Sequence, residues 1–352
     1  MLACFFVRTV IKVKTNAELI ELVKQLPKTE LHLHIEGSLE PEMVMEMAAR
    51  NGITVPFKST EQLKSLYDFK NLQSFLDLYY LATNVLQTEQ DFFDLTWAYL
   101  QRCDVENIVH TEIFFDPQSH TDRGIPFKVV IDGIHAALLQ ARTELNISSR
   151  LIMCFLRHLP AEEALATWRM AEPYLDQIDG VGLDSAERDF PPSLFEEVFR
   201  RALDAGLRTV AHAGEEGPPD YIRQAVDLLR VSRIDHGVRV SEDPDLVDRL
   251  AKEQIPLTVC PLSNTRLRVY ESMREHPIID LLDAGLLVTV NSDDPAYFGG
   301  YLNRNFAAVI EALSPSQEQV VQLVKNGFEA SFLDVAEKEI WMGKIDRQMN
   351  NS

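Results

Sequence analysis

His32 and His34 alternate with Leu31, Leu33 and Ile35 in the run Thr29-Glu30-Leu31-His32-Leu33-His34-Ile35-Glu36-Gly37. That alternation predicts a strand with two unlike faces, and residues two apart on a strand share a side, about 6–7 Å from one another. Two imidazoles so placed can converge on one cation, as metal ligands must. Gly37 is expected to end the run and let the backbone turn away. Alone, the pair would equally suit a solvated strand face. Further along, His212 and Glu215 stand in His212-Ala213-Gly214-Glu215, His236 in Ile234-Asp235-His236-Gly237, and Asp293 and Asp294 in Asn291-Ser292-Asp293-Asp294-Pro295.

Three imidazole nitrogens (His32, His34, His212) and one carboxylate oxygen (Asp293) form a donor set for a borderline ion such as Zn²⁺, one per subunit. The same set accepts iron, manganese or cobalt. A bound Zn²⁺ lowers the pKa of its water towards roughly 7, so hydroxide is available at neutral pH. Glu215, three residues past His212, is the expected general acid/base. His236 is expected to hold the hydroxide or stabilise charge on it. Asp293 and Asp294 should diverge if a strand runs through them, leaving Asp294 to bond a substrate. Taken singly, each residue has an ordinary reading: a turn at Asp293-Asp294-Pro295, a solvated loop at Glu215-Glu216-Gly217, a satisfied core histidine at 236. Their joint occurrence at the ends of successive strands favours chemistry.

Those strands recur rhythmically. Apolar runs at Ile108–Phe115, Arg150–Leu156, Gly180–Leu183, Thr209–Ala213, Ile234–Val238, Leu257–Cys260 and Leu286–Val290 follow the His-x-His strand. Helical stretches such as Leu194–Ala205, Tyr221–Leu229, Pro244–Lys252 and Ile278–Ala284 lie between them. Eight strands alternating with helices predict an α/β fold, a (β/α)8 TIM barrel. A helical insertion from Glu40 to about Asn107 follows strand one, and two closing helices follow Pro315. In such barrels the site lies at the carboxyl ends of the strands, where the polar residues above fall, together with Asp184 and Glu187 after strand four and Ser263 and Asn264 after strand seven. Residues 16–345 are expected to form a single domain. Residues 1–15 are expected to be a leader, disordered or a short added strand. His110, His120, His135, His158 and His276 lack comparable partners and are expected to be structural or superficial.

The 352 residues carry 34 Lys and Arg against 54 Asp and Glu, a net charge of −20, which argues against nucleic acid and anionic membrane surfaces as partners. Four cysteines, Cys4, Cys103, Cys154 and Cys260, form no Cys-x-x-Cys pair, excluding a cysteine zinc cluster and a disulfide framework. The apolar start is too short for a signal core and no run reaches the ~18 residues of a membrane span, so a cytoplasmic protein is expected. No lysine occurs between Lys128 and Lys252, which disfavours a barrel hydrolase whose two metals are bridged by a modified lysine. A binding protein without catalysis would be expected to have lost Glu215 or a ligand, and none is lost.

The motifs Leu31-His32-Leu33-His34-Ile35-Glu36-Gly37-Ser38, His212-Ala213-Gly214-Glu215, Ile234-Asp235-His236-Gly237 and Asn291-Ser292-Asp293-Asp294-Pro295 resemble the adenosine/adenine deaminase family over about residues 20–340. The resemblance implies a mononuclear zinc barrel in which hydroxide attacks purine C6 and ammonia leaves. It further implies that Glu215 protonates N1, His236 orients the hydroxide and Asp294 bonds N7. The runs at 114–121, 211–219 and 294–301 are most similar to the adenine deaminase branch, implying adenine to hypoxanthine and ammonia in purine salvage. The alternative is a deaminase of adenosine or of N6-substituted adenines. Glu36 stands where nucleoside deaminases often have an Asp used for the ribose 5′-hydroxyl. In Gly182-Leu183-Asp184-Ser185-Ala186-Glu187, Glu187 falls about where those enzymes carry a small glycine at the sugar-facing edge. Gly182, Asp184 and Glu187 are therefore expected to face the substrate, with Glu187 accepting the N9 hydrogen. The expected partner is a small purine base, with a homo-oligomer left open.

Overall fold

The computed structural model describes residues 14–350, so the expectation for the leader falls almost wholly outside the described residues. Eight strands run in chain order around one parallel sheet: β1 Lys28–His34, β2 Ile108–Phe115, β3 Ser148–Leu156, β4 Gly180–Asp184, β5 Arg208–Ala213, β6 Arg233–His236, β7 Leu257–Val259 and β8 Val288–Val290. Every neighbouring pair is parallel. The sheet meets itself beyond β8, where Leu33 bridges Asp293. There the Asp293 N–H donates to the His32 carbonyl at 3.0 Å and the His34 N–H to the Asp293 carbonyl at 3.1 Å. The seam that closes the barrel is thus built from the residues expected to bind metal. This is the expected (β/α)8 architecture.

Four α-helices separate β1 from β2: Pro41–Asn51, Thr60–Lys64, Leu72–Thr83 and Glu89–Val105. Their starts are set locally. Asn71 and Thr88 each form a capping box with the residue three further on, Ser74 and Asp91, which satisfies amides a helix start leaves open. Phe92 and Tyr99 are buried as core, as their bulk suggests. The closing helices are Gln317–Ala330, packed on β1 and β8, and Val335–Asn350.

Several boundaries differ from expectation for identifiable reasons. The sixth strand stops at His236 rather than Val238, because His236 and Gly237 both take left-handed backbone (φ 62° and 70°). Short helices unforeseen from the sequence follow β2, β7 and β8 at Pro117–Thr121, Pro261–Arg266 and Pro295–Phe298. Each has proline in its first turn, where the missing N–H costs nothing.

The barrel's other end carries a buried ion pair. Arg233 Nη1 donates to Glu112 Oε2 at 2.6 Å and Nη2 to the Leu31 carbonyl at 3.1 Å, with both side chains fully buried. Burial alone would push the Glu112 carboxyl up, but Arg233 and His110 beside it outweigh that and hold it at about 2.

Candidate active site

At the carboxyl ends of the strands, one ligand atom from each of His32, His34, His212 and Asp293 lies within 4.8 Å of the others. His34 Nε2 and His212 Nε2 are 3.1 Å apart, and His32 Nε2 and His34 Nε2 lie 3.3 and 3.6 Å from Asp293 Oδ1. The far nitrogens are each turned to an acceptor. His32 Nδ1 meets Thr258 Oγ1 at 3.0 Å, His34 Nδ1 faces Asp184 Oδ2 at 3.4 Å, and His212 Nδ1 faces Asp235 Oδ2 at 3.7 Å. Of these contacts only that of His32 is a hydrogen bond, but all three favour hydrogens on Nδ1 and Nε2 lone pairs that converge with a carboxylate oxygen. Buried lone pairs that face one another need a cation between them, and His32 Nε2 has no other partner. Burial, with the rings of His32, His236 and His34 behind it, also pushes the His212 imidazole well below its ordinary value, so it is neutral and free to ligate.

Asp235 went unassigned in the sequence although it sits inside a quoted motif. It accepts from Thr258 Oγ1 at 2.8 Å and stands between His32 and His212. Its signal was the alternation of Arg233 and Asp235 in β6, which points both into the barrel.

Beside the four ligands lies a cavity with about 390 Å³ of empty space, part of it open to solvent. Its floor holds Glu215, His236, Asp293, Asp294, Asp116 and Asp184; its roof is Leu72, Phe75, Leu76, Tyr79 and Tyr80 from the inserted helix, with Leu267. The roof was missed as a site feature, since a stripe at positions 72, 75, 76 and 79 reads as core. Tyr80 and His158 both meet Ser185 Oγ, at 3.0 and 2.7 Å, and pin the roof to the loop after β4.

Glu215 Oε2 and Asp293 Oδ2 are each 3.6 Å from His236 Nε2. Burial pushes the Glu215 carboxyl well above its usual range, and the carboxylates of Asp293, Glu216 and Glu187 add to it. Burial and the adjacent Asp293 do the same to Asp294. Burial holds the His236 imidazole at about 3. The site therefore sets two carboxyls driven towards their protonated forms and an imidazole driven towards its neutral form around a cation-binding set.

Asp293 joins the donor set and Asp294 lines the cavity beside it, and their divergence does not come from a strand. No strand runs through them: Asp293 takes φ 64° and Asp294 precedes the Pro295 helix. Gly37 makes room for Asp294, since a Cβ there would stand 1.9 Å from Asp294 Oδ1. It also lies in the helical turn Glu36–Ser38 that follows β1, so the run ends and the backbone turns there as expected, without positive φ.

Two positions expected to face the substrate lie elsewhere. Gly182 points into the barrel below the cavity, where a Cβ would meet Cys154 Sγ at 2.5 Å; its small size serves packing. Glu187 accepts from the amides of Gly214, Glu215, Glu216 and Gly217 at 2.7 to 3.0 Å. The side chain is buried among those amides and does not line the cavity, so it does not reach an N9 hydrogen there. Asp184 does line the cavity, while also orienting His34. His276, expected to be structural or superficial, is buried and bonded to Asn264.

Residues 27–348 match the adenosine deaminase family. An adenine deaminase of Hahella chejuensis is 57% identical over 331 residues, covering 94% of this chain and 99% of that one. The crystal structure of an adenine deaminase from Arthrobacter aurescens superposes with a TM-score of 0.91 at 47% identity, covering 92% of this chain and 99% of that one. An amidohydrolase from Burkholderia ambifaria with bound zinc superposes at 0.86 with 26% identity, covering 98% of this chain and 96% of that one. Among the described residues no helix is long and apolar enough to cross a membrane. The chain belongs to the adenosine deaminase family.

Proposed function

We propose that this protein hydrolyses free adenine to hypoxanthine and ammonia, within one barrel domain over residues 16–345, in the cytoplasm, as a step of purine salvage. The observation that carries the reading is the pairing, in one cavity, of a three-histidine, one-aspartate donor set with the buried carboxyls of Glu215 and Asp294. His32, His34, His212 and Asp293 would hold one zinc ion. Bound there, the ion would supply Lewis acidity and bring the pKa of the attacking water towards roughly 7.

The remaining work belongs to the side chains. Glu215 gives its proton to N1 as the ring bond at C6 loses its double-bond character, and regains one from the attacking water. His236, with an N–H on Nε2, donates to the oxygen that gains negative charge. Asp294, protonated, donates to N7, which only accepts. Addition of water at C6 and departure of ammonia leave the 6-oxo purine, and atoms and protons balance.

The free base is favoured over its nucleoside by what surrounds the cavity. Glu36, which accepts through Oε1 from His120 Nε2 at 2.8 Å and from the Asp116 amide at 3.1 Å, does not line the cavity and so offers no acceptor there to a ribose hydroxyl. The roof side chains Leu72, Phe75, Leu76, Tyr79 and Tyr80 line the same cavity and narrow the room for a sugar. Ammonia release from adenine by the purified protein, alongside its metal content, tests the proposal; no release from adenine by metal-loaded protein would overturn it.

A further inference from the structure

The loop that carries Glu215 is wrapped around a carboxylate that is not part of the reaction. Glu187 Oε1 accepts from the Gly214 amide at 2.7 Å, and Oε2 from the amides of Glu215, Glu216 and Gly217 at 3.0, 2.8 and 2.7 Å. Four successive N–H groups can aim at one point only where the backbone curls into a nest, and Gly214 supplies the left-handed turn at φ 73°. Gly217 completes it, because a Cβ there would lie 2.4 Å from Glu187 Oε1. Glu187 is 1% exposed. Its charge is answered by the fully buried Arg157, whose Nη1 donates to the His212 carbonyl at 2.6 Å and whose Nε donates to the Phe190 carbonyl at 2.8 Å.

We infer that Glu187 is a positioning residue for Glu215: with Arg157 it braces the chain on both sides of the proton-carrying side chain and sets where that carboxyl stands over the purine. This inference rests on the role proposed for Glu215. The physical need is plain. Glu215 sits in a loop, its reach to N1 must be held to a fraction of an ångström, and misplacement by about 1 Å can cost about 10²-fold in rate. A glutamine at 187 would keep the size but turn an N–H₂ towards amide donors and remove the charge facing Arg157.

The test is a double-variant cycle on metal-loaded protein, with amide hydrogen exchange of residues 214–217. In Glu187→Gln, kcat for adenine should fall about tenfold to a hundredfold, with KM within about threefold, metal content unchanged and faster exchange at 214–217. In a Glu215→Gln background the same change should cost under about threefold, because residues acting through one another are not additive. If Glu187→Gln does not fold, Gly217→Ala, which intrudes on Glu187 Oε1 and leaves its charge, is measured in the same cycle with the same expectation. A full cost that persists beside Glu215→Gln would overturn the inference alone, as would a rise in KM with kcat intact, the mark of a substrate contact. A loss below about tenfold in Glu215→Gln itself would overturn the role of Glu215, and this inference with it.

Discussion

Asn264 Nδ2 donates to His236 Nδ1 at 3.3 Å, and a backbone amide two links away sets the direction of that bond. The Ile278 N–H donates to His276 Nδ1 at 3.2 Å, so His276 carries its hydrogen on Nε2 and donates to Asn264 Oδ1 at 3.1 Å. Asn264 must then turn its N–H₂ to His236 Nδ1, which leaves the His236 hydrogen on Nε2, towards Glu215 and Asp293.

His276→Phe should therefore lower kcat for adenine by about 10-fold or more, because Asn264 is freed to flip and the His236 N–H is no longer directed. Steady-state kinetics with metal analysis checks this. An unchanged kcat would show that the tautomer is set some other way.

Much of the site could be read in the chain because strand alternation and barrel order are local patterns. Leu31, Leu33 and Ile35 mark His32 and His34 as sharing a face, and the barrel rule places His212, His236 and Asp293 at the same end. What escaped depends on where separate segments meet. Glu187 looks like a loop charge until four amides from residues 214–217 are seen around it. His276 has no neighbour in sequence that betrays its link to Asn264. His236 and Asp293 take left-handed backbone without being glycine, a strain that only the assembled site compensates.

His212→Ala should lose bound metal and activity together while the far-ultraviolet circular dichroism stays native. The remaining donors are too few to keep a closed set. Full metal retention would remove His212 from the ligands.

Gly37→Ala should displace Asp294, because the new Cβ overlaps its carboxyl. The expected result is a fall of about tenfold or more in kcat/KM for adenine with metal content preserved. An unaltered kcat/KM would exclude Asp294 from substrate binding.

Arg233→Met leaves Glu112 buried without its cation and should destabilise the fold by about 3–5 kcal/mol at pH 7, read by urea unfolding. The sign reverses with pH. In the native chain the Glu112 carboxyl is depressed to about 2, so its contribution is present above 4.5 and is lost as pH falls towards 2. Without Arg233, burial raises that carboxyl, and the variant should lose stability as pH rises. The gap between the two proteins should be smaller at pH 4 than at pH 7; an equal gap would refute the pairing as the cause.

The central claim, that the roofed cavity serves a free purine base, is tested most directly by kcat/KM for adenine and adenosine measured on one metal-loaded preparation. With Leu72, Phe75, Leu76, Tyr79 and Tyr80 lining the cavity, adenine should exceed adenosine by at least about 10³-fold. Comparable values for the two substrates would contradict the account.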